Sequence, residues 1–382
     1  MTQTTPDATK PDTRGLFLRP RGGRHRVAIG TAIVVMFGCG ALMPWSIASA
    51  DQDRGADFDF YGSLRLQVEA VRPGDRNEVD AYEGFRDAYS RVGATAGYTF
   101  EGGTRLFGQV EVPLDLANGR VQGPFEQNDT AAHANNQLYD RLRIAKIGVQ
   151  DERFGTLAFG QDWLPYYNAI AFPVDMFSSY YSGFATFTAF RRNETLAYYS
   201  PSFGGFSFAA GYSNDGGNGT ASGGLDDRLQ FTASYTFAGT TLSFGIDDAG
   251  GVGDSRIYGL SLMHTQPDVG PGDLYIGAKI ERFDSNLDSG FGADGDTAAN
   301  LFASYSVGPH TFKGMVADVP SYGETVFHLG YDFQFRDDLK FFVEYYDEED
   351  TAAITTRRGG AADTNFAAQG GRALAVGARF DF

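Results

Sequence analysis

The sequence predicts an all-β fold, a sixteen-stranded antiparallel transmembrane β-barrel. Apolar and polar residues alternate with a period of two along most segments after residue 51, which puts one set on each face of a strand. Those segments number sixteen, and most approach the roughly 9 to 11 residues that a tilted strand needs to cross a bilayer. The connections alternate between brief turns and generally longer polar loops. An outer-membrane barrel is built that way, whereas a soluble β-sandwich has no reason to sort its loops.

A leader precedes the first strand. Arg14, Arg19, Arg21, Arg24 and Arg26 come before the apolar run from Val27 to Leu42, and "SIASA" ends in small residues that a signal peptidase accepts. The expected domains are a signal peptide over 1–50, cleaved after Ala50, and a barrel over 51–382. The apolar run is shorter than the about 20 residues of a membrane helix; an uncleaved anchor is the alternative. Lipidation at Cys39 in "MFGCG" is a further one, against which the bulky Met36 and Phe37 argue. Cys39 is the only cysteine, so cleavage leaves no disulfide, thiolate metal site or cysteine nucleophile.

The chain carries 31 basic and 48 acidic residues, a net charge of −17. Six basic and two acidic residues fall in 1–50, which leaves −21 on the remainder. Such a charge repels nucleic acid and excludes it as a partner. Fifty glycines and 14% aromatic residues fit many turns and many strands.

In order, strands are expected at 58–70, 89–101, 103–114, 138–150, 154–162, 191–201, 204–213, 226–238, 240–249, 254–265, 272–283, 297–306, 309–319, 322–335, 338–349 and 370–382. In the first, Leu64, Leu66 and Val68 alternate with Ser63, Arg65, Gln67 and Glu69. In the last, Leu374, Val376, Ala378, Phe380 and Phe382 alternate with Ala375, Gly377, Arg379 and Asp381. Turns such as "FEGGT", "DERFG" and "FRDD" take turns with loops such as "GYSNDGGNGTASGGLDDR" and "FDSNLDSGFGADGDTAAN". Closure is required because an unpaired amide in hydrocarbon costs several kcal/mol. Aromatic clusters near strand ends, "FDFY", "GYTF" and "FQF", mark interfacial girdles.

These segments carry a family resemblance. "SRVGATAGYTFEGGTRLFGQVE" resembles the second and third strands of the general trimeric porins of Gram-negative outer membranes. "DRLRIAKIGVQDERFGTLAFGQD" and "RRNETLAYYSPSFGGFSFAAGY" are similar to the strands flanking their constriction loop, and "ARFDF" to their last strand. The resemblance implies a water-filled channel in the cell outer membrane for passive diffusion of ions and small hydrophilic solutes, without cofactor or catalysis. It also implies a homotrimer, contact with outer-membrane lipid and lipopolysaccharide, and recognition of Phe382 by the barrel-insertion machinery.

Within "YDRLRIAKIGV", Arg141 and Arg143 are expected to face the lumen and Leu142 and Ile144 lipid or a neighbouring subunit. A lipid-facing arginine at mid-depth costs about 2–4 kcal/mol. Lys146 breaks the parity; an interfacial or snorkelling position and a local bulge are both open.

The segment 163–190, "WLPYYNAIAFPVDMFSSYYSGFATFTAF", is unusually apolar for a loop and is expected to be packed. In the family the third loop folds inward and narrows the barrel, its acids facing an arginine ladder. By position Arg91, Arg143 and Arg191 resemble that ladder, with Arg192 the alternative to Arg191, and Asp175 resembles a loop carboxylate. A second carboxylate often lies a turn further on, where this chain has Ser178 and Ser179; the first-strand lysine position is Ser63, with Arg65 next on that face. The expectation is a constriction around Arg65, Arg91, Arg143, Asp175, Arg191 and Arg192 with excess positive charge, whose transverse field orients dipolar solutes. Acidic loops at the mouth attract cations and leave the sign of selectivity open. The competing reading is that the arginines only pair with luminal carboxylates such as Glu69.

Other chemistry is thin. His133, His264, His310 and His328 lack the i, i+4 spacing of a zinc helix. "GADGDTAAN" and "GIDDAGGVGDSR" are rich in oxygen but lack the EF-hand pattern, so solvated loops are expected rather than Ca²⁺ sites. Two alternatives to a general pore stand. One is a channel selective for sugar, phosphate or nucleoside, with Tyr166, Tyr167, Tyr180 and Tyr181 as a stacking track; the other is a barrel enzyme, for which no serine or histidine motif is recognisable.

Overall fold

The computed structural model describes residues 55–74, 80–119, 121, 142–186, 190–213, 227–249, 255–350, 352–354 and 370–382. The leader read over 1–50, Arg141 and His133 lie outside them. The strands are β1 (Gly55–Pro73), β2 (Tyr82–Asp87), β3 (Ser90–Thr99), β4 (Arg105–Leu114), β5 (Ile144–Asp151), β6 (Gly155–Trp163), β7 (Arg191–Tyr199), β8 (Phe206–Ser213) and β9 (Arg228–Phe237). They continue with β10 (Thr240–Ala249), β11 (Ser255–Val269), β12 (Gly272–Asp284), β13 (Thr297–Val307), β14 (His310–Val319), β15 (Glu324–Arg336), β16 (Leu339–Glu348) and β17 (Gly371–Asp381).

Each strand from β3 onward pairs antiparallel with the next. The long β1 closes the ring, with β17 along one edge and β3 followed by β2 along the other. β2 and β3 therefore act as one stave, and the barrel is a closed antiparallel wall of sixteen. Ser63 pairs with Arg91 and Leu66 with Asp87, so two residues of β1 face three across the break. That is a β-bulge, and Tyr89 within it has φ 68°. The sequence shows only the β3 half of this stave, because the bulge resets the parity and buries Arg86 and Asp87 side by side.

At the seam, the Gly62 and Phe382 backbones exchange hydrogen bonds of 2.8 and 3.0 Å. The Phe382 ring lies 5.8 Å from that of Phe60. Closure thus leaves the last residue paired. Period two is plain in β13, where Leu301 and Ala303 are exposed and Asn300, Phe302 and Ser304 buried. It holds likewise in β1, with Leu66 and Val68 outward and Arg65, Gln67 and Glu69 inward.

One expectation is overturned in β5. Leu142 is exposed and Arg143 buried, as alternation requires, but Ile144 is only 1% exposed and packs with Trp163, Tyr167 and Ala171. The parity slips between Arg143 and Ile144, so Ile147 and Val149 carry the outer face. Lys146 consequently points inward, where its ammonium lies 2.8 Å from Asp162. Of the two readings left open for Lys146, the local irregularity accounts for it.

Between β6 and β7 the chain makes a wide helical turn at Tyr167–Ala171 and a tight one at Phe172–Val174. Its bonds go to the inner-face residues of distant strands, which gives the segment its place. Tyr166 N–H donates to Gln230, the Tyr166 hydroxyl to Glu281, and Tyr180 N–H to Gln67. Ser178 and Ser179 donate backbone N–H to the two oxygens of Glu344, at 2.7 and 3.0 Å. Small inner residues make room: a Cβ at Gly277 would stand 1.9 Å from the Pro173 carbonyl oxygen, and one at Gly259 2.3 Å from the Tyr166 hydroxyl.

Candidate pore constriction

Five of the six residues singled out in the sequence surround one space of about 40 Å³: Arg65, Arg91, Arg143, Asp175 and Arg191. Tyr89, Trp163, Ser182, Phe184 and Phe190 complete its lining. Arg65 on β1 lies across from the bulge between β2 and β3, and Arg91 near the start of β3 faces Ser63, whose hydroxyl accepts from Arg65 Nε at 2.8 Å. Arg143 hydrogen-bonds the Glu111 carbonyl through its backbone N–H. Arg191 begins β7 opposite Trp163. Arg192, offered as its alternative, is buried opposite Asp162 in register and does not line the space.

Sequence reasoning missed Glu111. Its carboxylate accepts from Arg143, stands 3.7 Å from Arg91 Nε and accepts from the Tyr61 hydroxyl at 3.1 Å. Glu69, named above as a possible arginine partner, instead binds Arg86 at 2.8 Å, with Tyr82, Tyr181 and Gln67 also donating to it. The available signal was the inward parity of Glu111 in "QVEVP". What the sequence does not print is the register that sets it between two arginines.

Trp163 was also missed. The Arg191 guanidinium lies 4.3 Å from its ring and that of Arg143 5.1 Å, while Tyr167 stacks on it at 4.5 Å. The indole thus fixes two like charges close together, each attracted to the negative face of the ring. Across the space, Asp175 is held by the hydroxyls of Tyr167, at 2.6 Å, and Ser182. Four guanidiniums therefore face two carboxylates, Glu111 on the wall and Asp175 on the loop.

The four tyrosines considered as a stacking track are packed instead. Tyr166, Tyr167, Tyr180 and Tyr181 are all buried, and Tyr180 and Tyr181 stack on Tyr89 and Tyr346. Burial pushes the Tyr180 phenol up to about 12 and those of Tyr166 and Tyr181 well above their ordinary range. His328 is likewise buried, stacked on Phe177 at 3.4 Å and 3.2 Å from Glu344. The stretch "GIDDAGGVGDSR", expected as a solvated loop, is strand at both ends, and on β10 Asp247 pairs with Arg228 and Asp248 with Arg256. Among the described residues no group of three or more metal-ligating side chains gathers.

The barrel is similar to solved porins. It resembles the anion-selective porin from Comamonas acidovorans at 17% identity and a TM-score of 0.63, over 86% of this chain and all of that one. Salmonella typhi OmpF, solved with daunomycin, follows at 15% and 0.60, over 86% and 98%. Vibrio cholerae OmpT lacking loop L8 gives 16% and 0.55, over 86% and 100%. No curated protein matches in sequence. A sequence model of Gram-negative porins matches residues 32–379. By that match the chain belongs to the Gram-negative porins, outer-membrane channels for passive diffusion.

Proposed function

We propose that the pore narrows between the arginine wall and the loop at Asp175, and that it favours small anionic solutes there. The observation that carries this is the convergence of Arg65, Arg91, Arg143 and Arg191 on one space with Asp175 opposite. Glu111 and Asp175 offset part of that charge, and the remaining excess raises the local concentration of anions. The similar barrel from Comamonas is described as anion-selective, in keeping with this sign. The acidic remainder, at −21 without residues 1–50, opposes it at the mouth, and the narrowest point sets the sign where it limits the flux.

The reading extends to the assembly and its route. Residues 1–50 direct export and are removed; the barrel assembles as a homotrimer among lipid and lipopolysaccharide, with Phe382 presented to the insertion machinery. No reaction is catalysed. The zero-current potential across a KCl gradient tests the constriction in planar bilayers, for wild type and Arg143→Ala. Chloride preference in the wild type that moves toward potassium in the variant is the expected result. An unmoved potential removes Arg143 from the constriction.

A further inference from the structure

Packing at the narrow space accounts for the ring of Trp163 but not for its N–H. Trp163 is 5% exposed and lines the space. Its ring is engaged by Tyr167, stacked at 4.5 Å, and by the Arg191 and Arg143 guanidiniums at 4.3 and 5.1 Å. Its Nε1, by contrast, is buried with no acceptor among the described residues. A buried donor without an acceptor is costly, and a group that accepts from it would also meet two cations.

The surroundings favour an anion there over water. Four guanidiniums and the indole supply donors, whereas the carboxylate bordering the space, Asp175, already accepts the Tyr167 and Ser182 hydroxyls. A buried water makes about three hydrogen bonds and has its own hydrogens to place; an anion only accepts. Size narrows the class further. The space is about 40 Å³ and, at roughly 10–15 Å³ for each water, holds fewer waters than a hydration shell. An ion entering it is partly dehydrated, at a cost that falls as the ion grows and its charge spreads. Guanidiniums are themselves weakly hydrated, and Phe184 and Phe190 line the rest of the space with hydrocarbon.

We propose that Trp163, Arg143 and Arg191 form a binding site for weakly hydrated, singly charged anions, with the indole N–H as the donor that selects them. The site rests on the anion-favouring reading of the constriction and sets its order: perchlorate and iodide before chloride, chloride before fluoride and sulfate. A cationic wall acting through its field alone ranks sulfate first, because the divalent ion is attracted more strongly.

Trp163 reports on its own occupancy. The sequence holds two tryptophans, Trp45 and Trp163, so Trp45→Phe isolates the emission of Trp163 in the detergent-solubilised protein. Iodide quenches indole emission on contact, and at constant ionic strength it should do so saturably. Perchlorate, which does not quench, should displace it at a lower concentration than chloride, and sulfate at a higher one. On the same background Arg143→Ala and Arg191→Ala should each raise the half-quenching concentration about five-fold, the loss of one charge contact. In planar bilayers with NaCl against NaClO₄, the wild type should favour perchlorate, and Trp163→Phe, which lacks the donor, should bring the two permeabilities together. Quenching that is absent or linear in iodide overturns the proposal, as does sulfate displacing iodide better than perchlorate. A half-quenching concentration unchanged in both arginine variants overturns it too, and so does a permeability ratio unchanged in Trp163→Phe. Chloride preference over potassium is read separately from the zero-current potential, so a pore that prefers chloride without saturable quenching loses this site and keeps the proposed function.

Discussion

The two halves of the lumen use the same alternating strands for opposite ends. On one side, β1 to β7 present long cationic side chains to an open space. On the other, β9 to β16, together with Gln67 and Glu69 farther along β1, present glycine and acceptor groups that the loop fills. Gly245 and Gly259 lie opposite each other in register beneath Tyr166 and Ile170. Gln230, Glu281 and Glu344 then receive the loop's donors. Which half becomes wall and which becomes bed follows from side-chain size and hydrogen-bonding type at inward positions, not from the strand pattern, which is common to both.

The bed should be the more fragile half. Glu344 accepts from the backbones of Ser178 and Ser179 and pairs with Lys313 at 2.9 Å, with His328 at 3.2 Å. Glu344→Ala leaves two buried amides without their acceptor and the Lys313 ammonium with Asp332 as its remaining carboxylate, at a cost of about 3–5 kcal/mol. A large fall in the thermal midpoint of the detergent-solubilised barrel, with unsteady single-channel current, is expected; a midpoint within error of wild type would show that the loop is not latched there. Gly277→Ala ranks next. Its Cβ would meet backbone rather than a yielding side chain, and overpacking of that kind costs about 1–3 kcal/mol. The same melting measurement should place it between wild type and Glu344→Ala.

The wall should respond in selectivity before stability. Trp163→Phe keeps a ring between Arg143 and Arg191 but weakens both cation–π contacts, for about 1 kcal/mol in all. Its zero-current potential should shift although its melting changes less than that of Gly277→Ala. A potential equal to wild type would mean that the indole does not set the arginine positions.

The outer architecture was legible in the sequence because period two is local. The strand expected at 240–249 is β10 to the residue, and the one expected at 309–319 begins one residue later, at His310. Errors fell where parity resets within a strand, at the β2–β3 bulge and at Ile144, since a single inserted residue reverses every later assignment. The arginine wall was legible through resemblance to a family. Glu111 and the Ser178–Glu344 latch were not, because 32 residues separate Glu111 from Arg143 and 166 separate Ser178 from Glu344. Pairings of that range belong to the closed register of the sheet.

The smallest effect should come from a bond in the bed that has substitutes. The Tyr181 hydroxyl donates to Glu69 at 2.9 Å, but Arg86, Tyr82 and Gln67 donate to the same carboxylate. Tyr181→Phe removes one donor of four and leaves the ring free to keep its 4.9 Å stack on Tyr346. No charge is left without a partner, so the loss should stay near the about 1 kcal/mol of a single replaceable hydrogen bond. The zero-current potential should not move, because the Arg86–Glu69 pair persists and neither residue lines the space at Asp175. A melting shift as large as that of Glu344→Ala would place the latch at Glu69 instead, and would move the fragile point of the bed from β16 to β1.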